Sequence, residues 1–222
     1  MNKYLARPWH LARRQAGFRK YFAACQAQGS GPKLHVGCGN RPISGWCNID
    51  VAHLTQDVQY VNALKRLPFE DGSFQFIFSE HFIEHLAFEE GLRFFKEAYR
   101  VLKTGGVLRT ATPDLKFLSS LYSGDSDQKQ RYIDYVFENF DGDKPQSPVA
   151  SINRSFYGWG HRFIYDALFL EKVLAQLGFG NFRTFKPGQS DAPELRGLEQ
   201  HGKSVPSDIN DMETFVLEAT KL

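Results

Sequence analysis

Apolar and polar positions follow two periods along this chain, and the two periods take turns. Short runs of strand character stand near 33–37, 46–50, 58–61, 74–79 and 106–112, bounded by Gly, Pro, Asn, Asp or Ser. Between the fourth and fifth runs, residues 89–102 place Leu92, Phe95, Tyr99 and Leu102 on one helical stripe, which Gly105-Gly106 ends before the next strand. This alternation predicts an α/β chain with a parallel sheet covered on both faces. A second helix is predicted from Asp166, a natural N-cap, to Leu177, with Gly178 closing it. Strands near 181–186 and 212–219 follow, separated by a Pro/Gly-rich excursion over 187–210.

Residues 113–160 break the rhythm. They are polar and aromatic, carry Gly124, Gly142, Pro145 and Pro148, and show one short helical stretch near 127–139. Connections of this length are more often functional lids than idle loops. Tyr122, Phe140, Phe156, Tyr157 and Trp159 could wall an acceptor pocket or stack on a sugar ring. They could equally form the lid's own small core, the commoner use of aromatics.

Composition adds limits rather than detail. The 222 residues suit one sizeable domain, and 42% apolar with 23% charged is ordinary for a soluble globular protein. A net charge of +2 gives no reason to expect nucleic acid. The charge is unevenly placed, because residues 1–30 hold Lys3, Arg7, Arg13, Arg14, Arg19 and Lys20 with no acid. We read 1–30 as a basic helical extension of a 31–222 domain. Its charged side is either simply solvated or able to meet an anionic surface. No stretch has the form of a signal peptide or the length of a membrane span. Cys25, Cys38 and Cys47 are odd in number and lack C-x-x-C spacing, as expected of reduced thiols in a cytoplasmic protein.

The candidate chemistry starts at Gly37-Cys38-Gly39, where the first strand turns, and at Asp50, which ends the second. Glycines there let backbone approach a ligand, and an acid at the end of the next strand is the usual partner of ribose hydroxyls. A dinucleotide site would place Gly or Ala three residues after the second glycine and the acid about 20 residues on, beyond a helix. Here those requirements meet Pro42 and an acid only 11 residues after Gly39. The pyrophosphate-binding helix is missing, so a nicotinamide-dependent oxidoreductase is disfavoured and a nucleoside without phosphates fits better.

Four ordered motifs over about residues 30–185 resemble the class I S-adenosylmethionine-dependent methyltransferases. The likeness is nearest to a bacterial branch associated with surface-glycan assembly. The motifs are Leu34 with Gly37-Cys38-Gly39; Gly45, Trp46, Asn48 and Asp50; the run Leu67 to Leu86; and Tyr99 to Arg109. Thr112-Pro113-Asp114 and Gly160 to Asp166 also recur in relatives. The resemblance implies a three-layer Rossmann-like fold with a mostly parallel seven-stranded sheet, an antiparallel last strand and a lid over about 113–160. It implies S-adenosylmethionine as cofactor and S-adenosylhomocysteine as product. Gly37, Cys38 and Gly39 would meet the methionine portion and Asp50 the ribose. Asn62-Ala63, where the family usually has Asp before an apolar residue, would meet the adenine. Ser79, Glu80 and His81 would lie beside the sulfonium.

A hydroxyl acceptor usually needs a base, and His81, His85, Asp114 and His161 are the candidates. His81 is best placed by its motif, and His161 ends the lid segment. His85 and Asp114 have plain alternatives as packing or capping residues. Glu80-His81 and Glu84-His85 lack H-E-x-x-H spacing, so no metal is expected. The reading is methyl transfer to a small-molecule or carbohydrate acceptor, at a hydroxyl. A degenerate, non-catalytic binding protein of the same fold is the alternative from another class.

Overall fold

The computed structural model describes residues 21–23, 31–52, 55–123 and 126–222. Seven strands form one sheet: β1 (Lys33–Val36), β2 (Cys47–Asp50), β3 (Gln59–Tyr60), β4 (Phe74–Glu80), β5 (Leu102–Pro113), β6 (Phe179–Phe185) and β7 (Thr214–Lys221). Their order is β3-β2-β1-β4-β5-β7-β6. The first five pair in parallel, and β7 runs antiparallel between β5 and β6, as expected of the last strand.

Strand alternation sends Leu34, Val36, Cys47, Ile49, Ile77, Leu108, Leu217 and Ala219 into the main core. Helices α1 (Phe88–Val101) and α5 (Ala167–Ala175) close that core with Phe94, Phe95, Ala98 and Val101, and with Leu170, Val173 and Leu174. The buried stripe of α1 is therefore rotated from the predicted one. Leu92 and Tyr99 pack at its margin, and Leu102 already belongs to β5. Gly105-Gly106 does not end this helix either. The pair sits where the β4–β5 register slips between Leu102 and Val107, with Gly105 at φ 77°. A Cβ on Gly106 would lie 2.9 Å from the Lys103 carbonyl, so the glycine serves the bulge.

The opposite face is built differently. Among the described residues no helix lies in the β1–β2 or β2–β3 connections. The excursion after β6 covers that face instead, where Leu195 and Leu198 pack with Trp46, Phe76 and Phe78. Arg109 of β5 ties it down from within. Fully buried, it binds Glu199 through Nε at 2.7 Å, the Gln189 carbonyl at 2.9 Å and Glu218 of β7 at 2.5 Å. On the same face His35 stacks on Phe78 and meets Asn48 Oδ1 at 3.1 Å. Burial pushes its imidazole down to about 4, so it is neutral in the fold.

The segment after β5 holds three helices rather than one: α2 (Leu115–Ser120), α3 (Asp127–Val136), which continues as a π-turn to Asp141, and α4 (Pro148–Tyr157). Each start is capped, by Asp114, Ser126 and Ser147 respectively. With α6 (Ser207–Glu213) these helices enclose a second core of Leu118, Leu121, Tyr132, Val136, Ile164 and Ile209. Asp166 caps α5 through the Phe169 amide, as expected.

The extension expected over 1–30 lies outside the described residues apart from 21–23. There Phe22 packs on Phe69 and Phe74, and the Tyr21 hydroxyl accepts from the Asn48 amide at 2.9 Å. No helix among the described residues is long and apolar enough to cross a membrane.

Candidate active site

Two groups of residues meet at the carboxyl edge of the sheet. The first is the glycine turn. Gly37 and Cys38 both donate to the Ile49 carbonyl, which pins the turn to β2. Gly37 and Gly39 stand at φ 67° and 54°, a region that suits glycine. A Cβ on Gly37 would come 2.5 Å from the Phe82 ring, so this glycine also admits a neighbour's side chain. Asp50 clamps the turn: Oδ2 accepts from the Gly39 amide at 2.9 Å and Oδ1 from the Ala52 amide at 2.7 Å. Each oxygen still has an acceptor position to spare.

The other expected cofactor residues fall close by with different exposures. Burial, then the Asp50 carboxylate, pushes the Cys38 thiol up to about 12, so it stays protonated. Asn62 follows β3, its Oδ1 accepting from the Leu64 amide at 2.9 Å, and Ala63 is buried beside it. Ser79 is fully buried with its hydroxyl on Thr110, so only its backbone can face a ligand. The Glu80 carboxylate accepts from the amides of Gln200 and His201 at 2.8–2.9 Å. Its visible role is to clasp the excursion to the end of β4.

The second group lines a cavity of about 140 Å³ between the sheet edge and the lid. Tyr132, Tyr135, Phe140 and Trp159 supply aromatic wall, and Pro113, Leu118, Val136 and Val205 supply aliphatic wall. Its polar members are His81, Ser155, His201 and Glu213. Of the aromatics singled out in the lid sequence, Phe140 and Trp159 reach the cavity. Phe156 joins the lid core, while Tyr122 and Tyr157 are exposed.

His81 sits where the groups join. Its backbone has φ 44°, a conformation few non-glycine residues adopt, and its amide donates to the Ala111 carbonyl at 3.0 Å. Nδ1 lies 3.0 Å from Oε1 of the fully buried Glu84, whose Oε2 accepts from Thr112 at 3.0 Å. Nε2 has only Thr214 Oγ1 at 3.4 Å. Burial disfavours the imidazolium, but the hydrogen bond and charge of Glu84, with Glu213 and Glu80, outweigh it and hold His81 above its ordinary value. Burial likewise opposes the Glu84 carboxylate, yet His81 and then His85 keep it below the usual range.

His161 is placed less favourably for a base role. It does not line the cavity, and its Nδ1 meets the Ser155 carbonyl at 2.6 Å. Burial pushes it below the ordinary imidazole value. It meets His85 edge to face at 5.0 Å, and potential ligand atoms of Glu84, His85 and His161 lie within 4.8 Å of one another. Both Glu84 oxygens are also engaged, by His81 and Thr112, which ties this cluster to the His81 side of the site. Asp114 caps α2 through the Lys116 amide.

Three cavity residues carried no sequence signal. His201 stacks on His81 with ring centroids 3.9 Å apart and places Nε2 3.2 Å from Glu213 Oε1. Tyr132 donates to the other Glu213 oxygen at 3.0 Å. Each belongs to a helix or turn remote in sequence from the motifs, and no spacing rule links them.

Residues 34–110, the run from β1 into β5, match the family model of a methyltransferase domain. A SAM-dependent methyltransferase from Thermotoga maritima, described as a possible histamine N-methyltransferase, shares the fold. It is 19% identical over 96% of this chain and 93% of its own, with a TM-score of 0.50. A SAM-dependent methyltransferase from Archaeoglobus fulgidus aligns at 15% identity over 99% and 96% of the two chains, with a TM-score of 0.49. No curated protein matches the chain in sequence. Residues 34–110 thus carry a methyltransferase-domain match on a Rossmann-like sheet whose fold the Thermotoga protein shares.

Proposed function

We propose that the enzyme methylates a hydroxyl of a small-molecule or carbohydrate acceptor bound in the lid cavity, with His81 as general base. The observation that carries this reading is the Glu84–His81 pair. A buried carboxylate fixes Nδ1, leaving Nε2 as the ring atom available to a proton at the cavity wall. A hydroxyl needs such a base, whereas a neutral amine does not.

The residues at the glycine turn fit the donor. Asp50, held by two backbone amides and with acceptor capacity left, suits a vicinal diol. Gly37 and Gly39 keep the turn free of side chains, and Asn62 offers an amide to the adenine edge. The bound sulfonium supplies an already activated methyl group. The protein's task is therefore to align the acceptor, exclude water and take up one proton. Lid helices α2 to α4 do the excluding, and His81 takes the proton.

Single-turnover methyl transfer with His81→Ala and His161→Ala tests the assignment. The first should lose about 100-fold or more in rate with S-adenosylhomocysteine affinity kept, while the second stays within a few-fold. Equal losses in both variants, or none in His81→Ala, would refute His81 as the base.

A further inference from the structure

The lining of the lid cavity selects among hydroxyl acceptors. We infer that the acceptor is an uncharged phenol, an aromatic ring carrying the hydroxyl to be methylated, and not a sugar, nucleotide sugar or other phosphorylated compound. The inference rests on the hydroxyl reading above and narrows it.

Three observations carry it. First, the polar lining groups form one contiguous cluster. His81 stacks on His201, His201 reaches Glu213, Glu213 accepts from Tyr132, and the Tyr132 hydroxyl lies 3.4 Å from Ser155 Oγ. Second, the donors of that cluster are engaged from within. Tyr132 donates to Glu213, Ser155 donates to the Ser151 carbonyl and His201 Nε2 meets Glu213, so what the cluster offers a ligand is acceptor capacity, suited to receiving the proton of one hydroxyl, and it is gathered at one end of the cavity. Third, among the described residues the lining contains no Lys or Arg, and its one acidic side chain is Glu213.

Ligand chemistry follows from these features. A pyranose carries hydroxyls around its whole rim, and in this cavity most would face Leu118, Val136, Val205 and the aromatic rings. Each hydroxyl buried without a partner costs about 1–3 kcal/mol. A phosphate or carboxylate would enter beside the Glu213 carboxylate, with no Lys or Arg among the described lining residues to receive it. A phenol presents one hydroxyl at one end and an apolar ring elsewhere, which suits Tyr135, Phe140 and Trp159 as stacking partners. In the reaction the phenolic oxygen gives its proton to His81 Nε2 and gains the methyl carbon. The carbon–sulfur bond breaks with its electron pair left on the neutral thioether, and the imidazolium later returns its proton to water.

The test is methyl transfer by the full chain from S-adenosylmethionine to phenol, catechol, methyl glucoside, a uridine diphosphate sugar and aniline. Methylation is read by mass spectrometry. Calorimetric titration with S-adenosylhomocysteine is run beside it. Methylation of the phenols with kcat/KM at least about 100-fold above the sugars is expected. Tyr135→Ala should raise KM for the phenol several-fold with little change in kcat. Preference for methyl glucoside, the nucleotide sugar or aniline would overturn the inference while leaving methyl transfer intact. So would S-adenosylhomocysteine binding with no phenol turned over and no phenol bound to that complex by equilibrium dialysis. Failure to bind S-adenosylhomocysteine at all would instead strike the cofactor reading on which the inference rests.

Discussion

Glu84 and His81 face each other at 3.0 Å behind the wall of the lid cavity, and the acid is completely buried. Such a pair orients an imidazole and raises its basicity together. Losing the acid should therefore change a pH profile as well as a rate.

The groups acting on His81 are Glu84 on the turn after β4, Glu80 on β4 itself, Glu213 on α6, His201 stacked on its ring, His161, and Thr214 at Nε2. Their net effect holds His81 above 6.5. As a base it must be neutral, so kcat/KM should rise with pH through a value above 6.5 and then level off. Glu84→Gln should move that limb to lower pH and cut kcat by about 10-fold or more. S-adenosylhomocysteine affinity should not change. A limb that stays in place in Glu84→Gln would show that another group titrates.

Asp50 makes a separate prediction at the cofactor end. Asp50→Asn removes the charge while keeping an acceptor for the Gly39 amide. Hydrogen bonds to a charged group are worth about 1.5–3 kcal/mol, so calorimetry should show about 10- to 100-fold weaker S-adenosylhomocysteine binding. Wild-type protein should not bind NAD. Unchanged affinity in Asp50→Asn would refute the ribose assignment.

Arg109 bears on stability alone. Arg109→Met leaves Glu199 and Glu218 buried without their cation, a change that typically costs about 3–5 kcal/mol. Urea unfolding should show that loss. Arg109→Met combined with Glu218→Met should recover part of it, because one orphaned charge is gone.

Two histidines set opposite trends of stability with pH. His35 stays neutral in the fold down to about 4, whereas the unfolded chain takes up that proton near 6.5. Its contribution is full above 6.5 and falls as pH drops toward 4, by roughly 1.4 kcal/mol per pH unit. The His81 contribution, from a raised value, is full below 6.5 and is lost as pH climbs through the folded value. Urea midpoints between pH 4 and 7 should therefore decline on the acid side, and His35→Gln should flatten that decline.

The geometry of the glycine turn and its acid was legible in sequence because these residues are close neighbours along the chain. Gly37, Gly39 and Asp50 belong to one strand–turn–strand unit, and the missing helix showed directly as Pro42 and an early acid. Strands were legible wherever a period of two survived; helices α2, α4 and α6 were not foreseen, and the stripe of α1 and the glycines after it were misread. There the helix passes into β5 without a break, so no stop signal was needed. The acceptor end was hidden for the opposite reason. His81 meets His201, and Tyr132 meets Glu213, only after the sheet has brought distant segments together. Glu80 shows the limit of motif reasoning, since its carboxylate is spent on backbone amides of the excursion.

The position of β7 constrains the order in which this molecule can be made. Among the described residues β6 pairs only with β7, and β5 gains its second neighbour from β7. While residues 214–221 are still on the ribosome, β6 is an orphan and Arg109 lacks one of its two acids. The outer part of the sheet, the clamp on Arg109 and the Glu213 wall of the cavity must then arise together, once β7 has joined the sheet. Contacts of such long sequence separation are slow to close. The glycine turn, built from neighbouring residues, can take shape early, while the lid cavity waits for β7.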